Sequence, residues 1–297
     1  MSSTQKIGQI LIAVWLMGIL GHAQAPPAPA EEPPGPNPTL TVQKILDEAP
    51  ESALDKDPPD ALRTGDRALA LAQATQDTVG IAQAQRLRAR TLERLKRTEE
   101  AVAAWRAAVV AWEQANETPG RIEAWASAGL LLALEKKAGA EALVAQATGL
   151  GRSEAKRPLA SADALYRFGG AYYQRGLLPL ARSLFAVSLG IREDRIPNSL
   201  AVAASLNGLG LVADRQGDLA GAREYHQRAL TIRQQRAPNS LDVAASWNNL
   251  GVVVWRQGDL AAAREYYQRA LAIQQQRAPD SLGMATNWNN LGVVAGR

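Results

Sequence analysis

The sequence predicts an all-α fold, a right-handed α-solenoid of stacked antiparallel helix hairpins. The first observation is a repeat, since residues 201–241 and 242–282 are identical at 30 of 41 positions. A fixed period of this length is typical of helical arrays, because one hairpin cannot bury its apolar face and stacks on the next. The second observation is composition, because alanine, leucine, arginine and glutamine are abundant while aromatic residues make up 5%.

The N-terminal residues 1–25 are predicted to form a secretory signal peptide. Lys6 supplies a short positive start, and an apolar run over 7–20 is followed by small residues. The run is shorter than the about 20 residues of a membrane-spanning helix. Cleavage after Ala25 fits the small-x-small pattern, whereas cleavage after Ala23 keeps Pro26 away from the cut. The alternative is an uncleaved N-terminal anchor. In both cases the rest of the chain is expected to be exported, periplasmic or secreted, without a further membrane span.

Residues 26–38 are predicted to be a proline-rich linker, because proline at this density favours extended conformations over helix. A ligand for a proline-recognising domain is the alternative. Residues 39–160 are predicted to form degenerate hairpins with less regular apolar spacing. The predicted helices cover 39–54, 60–76, 83–97, 99–116, 121–137 and 139–149, paired in that order.

Residues 161–297 are predicted to hold the regular array, and each repeat position has a physical reason. Gly210 lies midway along a first helix, where the missing side chain lets the second helix approach closely. Gly217 can adopt the left-handed conformation that ends this helix, and Asp218 can cap the next one. Asn239 or Ser240 is expected to cap the first helix of the following hairpin.

The residues at these positions resemble the tetratricopeptide repeat (TPR) family. The matching residues are Trp247, Leu250, Gly251, Val254, Gly258, Ala263, Ala270, Leu271 and Pro279. The period is longer than the usual 34 or so residues. The long form is similar to the repeats of kinesin light chains and to arrays that precede CHAT-type caspase-like domains in bacteria. The resemblance implies a TPR-like superhelix whose first helices line a concave groove that binds a protein or peptide.

The last predicted first helix, over 281–295, has no second helix after it. Arg297 occupies the repeat position of Arg215 and Arg256, so the array ends in a half repeat. An apolar face of Trp288, Leu291 and Val294 is expected to stay partly uncovered. Three interpretations remain open: a crude cap, a surface for self-association or another subunit, and a truncated gene that once continued into an effector domain.

The residue inventory argues against an enzyme. The chain has no cysteine and two histidines, of which His22 lies in the predicted signal peptide. His226 is interpreted as a packing or surface residue. A cysteine–histidine dyad and a histidine-rich metal site therefore lack their residues. No cofactor is expected, and a net charge of +4 does not indicate a nucleic-acid partner.

The candidate partner-binding residues follow from the repeat register. Groove positions of three successive repeats carry Asn207, Asn248 and Asn289, and one or two turns further on the array carries Arg215, Trp255 and Arg256. The diverged hairpin near 162–200 contributes Tyr166 and Tyr173, and an upstream helix carries Arg86, Arg90 and Arg94 at four-residue spacing.

The asparagine column could hydrogen-bond the backbone of an extended peptide. Groove asparagines are credited with that role in kinesin light chains, and these match by position. The alternative is that the asparagines bridge or cap neighbouring helices within the stack. The arginine face is either a solvated helix side or a site for an acidic peptide.

The sequence thus predicts a non-catalytic scaffold that binds a peptide or protein partner in the groove of a TPR solenoid. The alternative function is a recognition or regulatory fragment that works with a separately encoded effector, such as a CHAT-type protease.

Overall fold

The computed structural model describes residues 38–153, 158–280 and 282–296, which form fourteen α-helices and no strand. The predicted signal peptide 1–25 and linker residues 26–37 lie outside the described residues. Pro38, the last residue of the predicted linker, begins the first helix. No described helix has both the length and the apolar character that crossing a membrane requires.

The helices follow one another in antiparallel pairs. Their bounds are α1 Pro38–Asp47, α2 Glu51–Lys56, α3 Pro58–Ala74, α4 Thr78–Arg94, α5 Thr98–Gln114, α6 Thr118–Leu134, α7 Ala140–Ser153, α8 Leu159–Gln174, α9 Leu178–Arg195, α10 Leu200–Gln216, α11 Leu219–Arg236, α12 Leu241–Arg256, α13 Leu260–Arg277 and α14 Leu282–Ala295. We call α4, α6, α8, α10, α12 and α14 the first helices, and α5, α7, α9, α11 and α13 the second helices. Consecutive helices pack on one another from α2 to α14, and the structure confirms the predicted all-α solenoid.

The upstream region is more regular than the sequence suggested. Helices α3 to α6 are each 17 residues long, and left-handed residues recur every 20 positions, at Gln76, Lys96, Asn116 and Lys136. Three predicted helix starts, at 83, 99 and 121, are therefore late, because the helices begin at Thr78, Thr98 and Thr118. Since glycine occupies none of these four left-handed positions, the usual signal for a helix end is missing.

The predicted helix 39–54 is wrong as a single element, because the structure divides it into α1 and α2. Pro50 holds an extended conformation directly before α2, with a φ of −62° and a ψ of 164°. Proline cannot donate to the hydrogen bond that a continuous helix would need there. Both short helices nevertheless pack on α3 and α4, so the predicted pairing with the following helix is present.

Glycines on the first helices receive an aromatic ring from the second helix. A Cβ added to Gly210 would lie 2.6 Å from the His226 ring, and one added to Gly251 would lie 2.5 Å from the Tyr267 ring. Gly169 faces Phe185 in the same way one repeat earlier. This confirms that glycine is required for close approach of the two helices.

The helix ends in the repeats also match the prediction. Gly217 adopts a φ of +84°, and the Asp218 carboxylate accepts a hydrogen bond from the Gly221 backbone at 2.9 Å. Ser240, not Asn239, caps α12, because its hydroxyl accepts from the Val243 backbone N–H at 3.3 Å. These caps satisfy N–H groups that a helix start leaves without an internal partner.

Each repeat is joined to the next by a buried polar pair. Arg192 donates to the Ser205 hydroxyl at 2.8 Å, and Arg233 donates to the Ser246 hydroxyl at 2.6 Å. One repeat later the same positions hold Gln274 and Asn287, joined at 2.7 Å. The second-helix member is buried in all three pairs, so the junctions keep one geometry with two different pairs of residues.

The last described helix, α14, is only partly covered. Val294 is buried against Val254 and Tyr267, whereas 53% of Trp288 is exposed. Trp288 occupies the repeat position of Trp247, which packs on the Tyr266 ring at 5.1 Å between ring centres. The apolar face predicted on this helix is therefore divided into a buried and an exposed part.

Candidate functional site

The asparagine column connects successive first helices. Asn249 donates its side-chain amide to Asn207 at 2.9 Å, and Asn290 donates to Asn248 at 3.0 Å. Asn207 and Asn248 thus have the bridging role that the sequence left as an alternative, while Asn289 is exposed. The acceptor and donor residues are 42 apart in both bridges.

Asn249 and Asn290 were not among the candidate residues. Each is the second member of an Asn-Asn pair in the sequence, and this doublet is the signal that could have identified them. Asn248 occupies the repeat position of Asn207. Because the helices of successive repeats are offset, Asn207 contacts Asn249, the residue that follows its repeat equivalent. The bridge uses one of the four hydrogen-bonding positions that an asparagine amide has.

Arg215 and Arg256 make a second set of connections between first helices. Arg215 donates to the Tyr173 carbonyl at 3.1 Å, and its guanidinium lies 4.6 Å from the centre of the Tyr173 ring. Arg256 donates to the Asp214 carbonyl at 2.7 Å and pairs with the Asp214 carboxylate. Three predicted site residues, Tyr173, Arg215 and Arg256, therefore contribute to the contact between repeats.

Tyr166 and Trp255 have different surroundings. The half-buried Tyr166 ring lies 5.5 Å from the Phe185 ring on α9, and the Arg192 guanidinium lies 4.7 Å from its centre. Trp255 is half-buried beside the apolar cluster that contains Val254. Tyr166 therefore packs within its own hairpin, and Trp255 packs against a cluster that α12, α13 and α14 share.

The predicted basic face on α4 is neutralised within the chain. Arg86 pairs with Glu123 on α6 at 3.1 Å, Arg90 with Glu51 at 3.0 Å, and Arg94 with Asp55 at 2.7 Å. Glu51 and Asp55 belong to the short helix α2, which therefore lies over the arginines. The carboxylates are about 37 to 39 residues away in sequence, so helix periodicity could not indicate them.

A small hollow adjoins this ion-paired surface. It has a volume of about 270 Å³, and its lining includes Leu46, Leu54, Arg86, Leu87 and Arg90. Because both arginines already pair with carboxylates, a second acidic group would have to displace one of them. The ion pairs therefore reduce the affinity for an acidic peptide that the arginine spacing suggested for this surface.

Glu93 is a partly buried carboxyl group on α4 that the sequence gave no reason to select. Its side chain accepts a hydrogen bond from the Trp105 indole at 2.6 Å. Burial raises the pKa of Glu93, while the Trp105 hydrogen bond and the charges of Arg90, Arg94 and Arg175 oppose that change. The hydrogen bond joins the two helices of one hairpin, so the environment is that of a structural contact.

His226 is the one titratable side chain of the repeat hairpins with a strongly lowered pKa among the described residues. Burial against Gly210, helped by the charge of Arg233, lowers the pKa of His226 from 6.5 to about 4. The folded chain therefore holds this imidazole neutral over a range in which the unfolded chain protonates it. The equivalent positions of the neighbouring repeats hold Phe185 and Tyr267, which do not titrate there.

We expect stability to fall as the pH drops from 7.5 to 5, because the unfolded state then binds a proton that the folded state excludes. With pKa values of 6.5 unfolded and about 4 folded, the loss at pH 5 is roughly 2 kcal/mol. Urea unfolding at both pH values measures it. His226→Tyr should remove that part of the loss, and an unchanged pH dependence in this variant would contradict the assignment.

The described residues contain no group of three or more histidine, cysteine, aspartate or glutamate side chains arranged to hold a metal ion. The candidate residues on the first helices instead carry amide, guanidinium and aromatic groups, which hydrogen-bond and stack between repeats. No acid–base or nucleophilic constellation is formed by the candidate residues.

Comparison with known proteins agrees with this geometry. The tetratricopeptide repeat family matches residues 160–235 and 242–297. No curated protein sequence matches the chain significantly.

Solved structures share the helical architecture. BtubC (BKLC) from P. vanneervenii is 23% identical, with a TM-score of 0.51, and the match covers 69% of this chain and 83% of that protein. A kinesin-light-chain-type protein from Podosopora anserina with nearly identical TPR-like repeats is 17% identical, with a TM-score of 0.49 and coverage of 66% and 95%. MamA from Desulfovibrio magneticus RS-1 is 20% identical, with a TM-score of 0.41 and coverage of 69% and 98%. At this identity the match to BtubC indicates the fold.

Proposed function

Because residues 160–235 and 242–297 match the tetratricopeptide repeat family, we propose that this protein is a non-catalytic scaffold. It binds a peptide or protein partner along the concave face of its first helices. Tetratricopeptide repeats generally mediate protein–protein interaction. Because residues 1–25 are predicted to be a secretory signal peptide, we expect the partner to be a periplasmic or extracellular protein or peptide.

The observation that supports this proposal is the continuity of the first-helix surface. The bridges Asn207–Asn249 and Asn248–Asn290 connect α10, α12 and α14, and the Asp214–Arg256 pair adds a second connection. Side chains of successive repeats are thereby held at fixed spacing before any partner arrives. A preorganised surface loses less conformational entropy on binding than a mobile one.

Recognition is assigned to the amide groups and to Trp255. Each bridging asparagine still has hydrogen-bonding positions that can serve a peptide backbone. The half-buried Trp255 offers aromatic area next to this column. Buried tryptophans are frequent anchors of protein interfaces, where their truncation typically costs 2 kcal/mol or more.

The test is the double variant Asn248→Asp, Trp255→Ala. Aspartate retains an oxygen that can accept from Asn290, so the bridge between helices is kept while the amide donors of residue 248 are removed. The probe is a peptide selected from a phage-displayed random library against the wild-type chain. Its affinity, measured by calorimetry, should fall by about 30-fold or more.

Trp288→Ala is the control, because it truncates another tryptophan of the array, which is exposed and occupies a different repeat position. It should leave peptide affinity unchanged, and circular dichroism should show equal helicity in all three proteins. Equal affinity of the double variant and the wild type would refute the assignment of the groove. The alternative function, cooperation with a separately encoded effector, stays a prediction.

A further inference from the structure

Exposed leucines recur along one edge of the array. Leu159, Leu200 and Leu241 are the first residues of α8, α10 and α12, and they lie 41 positions apart. Their exposed fractions are 37%, 44% and 48%. We call this column the leucine edge. Single exposed apolar residues are ordinary on a protein surface, whereas several on one side of a molecule can contribute to an apolar interaction patch.

Packing within the repeats does not explain these leucines. The buried apolar residues of the same helix starts are Val202 and Val243, which are 2% and 1% exposed. The helix starts are capped by Ser199 and Ser240, which accept hydrogen bonds from those valine N–H groups. The leucine side chains therefore lie outside both the core and the caps.

The leucine edge is held at a fixed spacing. Arg236 donates to the Asn198 carbonyl at 2.9 Å, and Arg277 donates to the Asn239 carbonyl at 3.1 Å. Each arginine thereby ties the end of a second helix to the loop of the preceding repeat. This also explains why Arg236 recurs as Arg277 although both are exposed.

Hollows adjoin the loops that precede α10 and α12. The lining of one, of about 430 Å³, includes Pro197, Val202 and Ile232 together with Glu193 and Arg228, and that of the other, of about 640 Å³, includes Pro238 and Leu241 together with Asp242 and Arg277. The edge therefore presents apolar projections beside recesses that are lined by apolar residues and by charges of both signs. A surface that presents both at one spacing is complementary to a copy of itself.

The charges of the edge support the same occupant. Arg236 and Arg277 are exposed, and so are Asp242 in the first turn of α12 and Asp280 in the loop after α13. In a two-fold dimer the two edges run in opposite directions, so different residues of the two copies face each other. The arginines of one copy can then face the aspartates of the other. A partner of a single charge sign would meet repulsion at about half of these positions.

We propose that the leucine edge is the contact between two copies of this chain, arranged antiparallel about a two-fold axis. Helix layers are about 10 Å apart, so the three leucines of consecutive repeats extend over roughly 20 Å. The edge lies at the N-terminal ends of the first helices, so it leaves the Asn248 and Trp255 region accessible.

The test is the mass of the full chain in solution by light scattering coupled to gel filtration, compared with the double variant Leu200→Glu, Leu241→Glu. A glutamate in the first turn interacts favourably with the helix dipole, so the variant should fold and keep its helicity. We expect the wild type at twice 31.8 kDa and the double variant at 31.8 kDa.

Two controls make the result specific. Val110→Glu alters an equally exposed apolar residue, 55% exposed, on the second helix α5, and should leave the dimer intact. Trp288→Ser tests association through α14 and should also leave it intact. A monomeric wild type at the highest soluble concentration, a dimer that persists in the double leucine variant, or a dimer lost in either control would overturn the proposal.

Discussion

Replacing Gly251 with alanine is expected to destabilise the array by about 2 to 3 kcal/mol. The added Cβ would lie 2.5 Å and 2.7 Å from two carbons of the Tyr267 ring. Both residues are buried, and the ring is confined by Val254 and Val294 of neighbouring helices. Overpacking a close-packed core typically costs 1 to 3 kcal/mol, because side chains and backbone must shift together. Urea unfolding followed by circular dichroism measures the loss.

Gly292 provides the matched control, because it is the repeat equivalent of Gly251 on α14. A Cβ added there meets no heavy atom within 4 Å. Gly292→Ala should therefore stabilise its helix by about 0.5 to 1 kcal/mol, as alanine does in an unobstructed helix interior. Combining Gly251→Ala with Tyr267→Ala should cost less than the sum of the two changes, since the clash is gone. Equal effects of Gly251→Ala and Gly292→Ala on stability would show that the Tyr267 ring is not the reason for glycine at position 251.

Replacing the buried pair Arg233 and Ser246 by glutamine and asparagine, the pair of the next junction, is expected to change the free energy of unfolding by less than the sum of the two single substitutions. Arg233→Gln alone removes the charged donor to Ser246, and Ser246→Asn alone introduces a larger amide against the remaining arginine. Each should cost about 1 to 3 kcal/mol, the range for disturbing a buried polar contact. The double variant recreates the pair that Gln274 and Asn287 form at 2.7 Å in the following repeat. It should recover to within about 1 kcal/mol of the wild type.

A double-mutant cycle by urea unfolding measures this coupling, which we expect to be about 1 to 2 kcal/mol. The reciprocal exchange, Gln274→Arg with Asn287→Ser, tests the same idea at the last junction. Additive single effects would mean that the two residues of a junction are chosen independently. Recovery in the double variant would mean that the repeat interface accepts either pair as a unit.

The sequence predicted the repeated hairpins well because their determinants are local. Gly217 ends a helix, Asp218 begins the next, and Gly251 permits a close approach, each by a property of that residue alone. The upstream boundaries were less accurate, because Gln76 and Lys96 occupy the left-handed positions where a glycine would have marked the helix ends. The break between α1 and α2 was indicated by Pro50, a signal that the prediction of one helix did not use.

The candidate site was predicted only as a set of positions. The repeat register identified Asn207 and Asn248, but the partner of each lies 42 residues away rather than 41. The difference of one residue arises because successive helices are displaced as they stack. The sequence gives the repeat length but not this displacement. The same limit applies to Arg90 and Arg94, whose carboxylate partners lie on a helix 39 residues earlier in the chain.

The sequence by itself determined that this protein is an all-α array of long hairpins, since helix ends, caps and glycine contacts depend on residues close together in the chain. The tertiary structure alone decided which polar side chains form hydrogen bonds or ion pairs within the array. It assigned Arg215 and Arg256 to contacts between repeats, paired Arg90 and Arg94 of α4 with carboxylates of α2, and left Leu200 and Leu241 exposed. Exposure and pairing depend on what the neighbouring repeat places against a residue, and that neighbour is defined only when the helices pack.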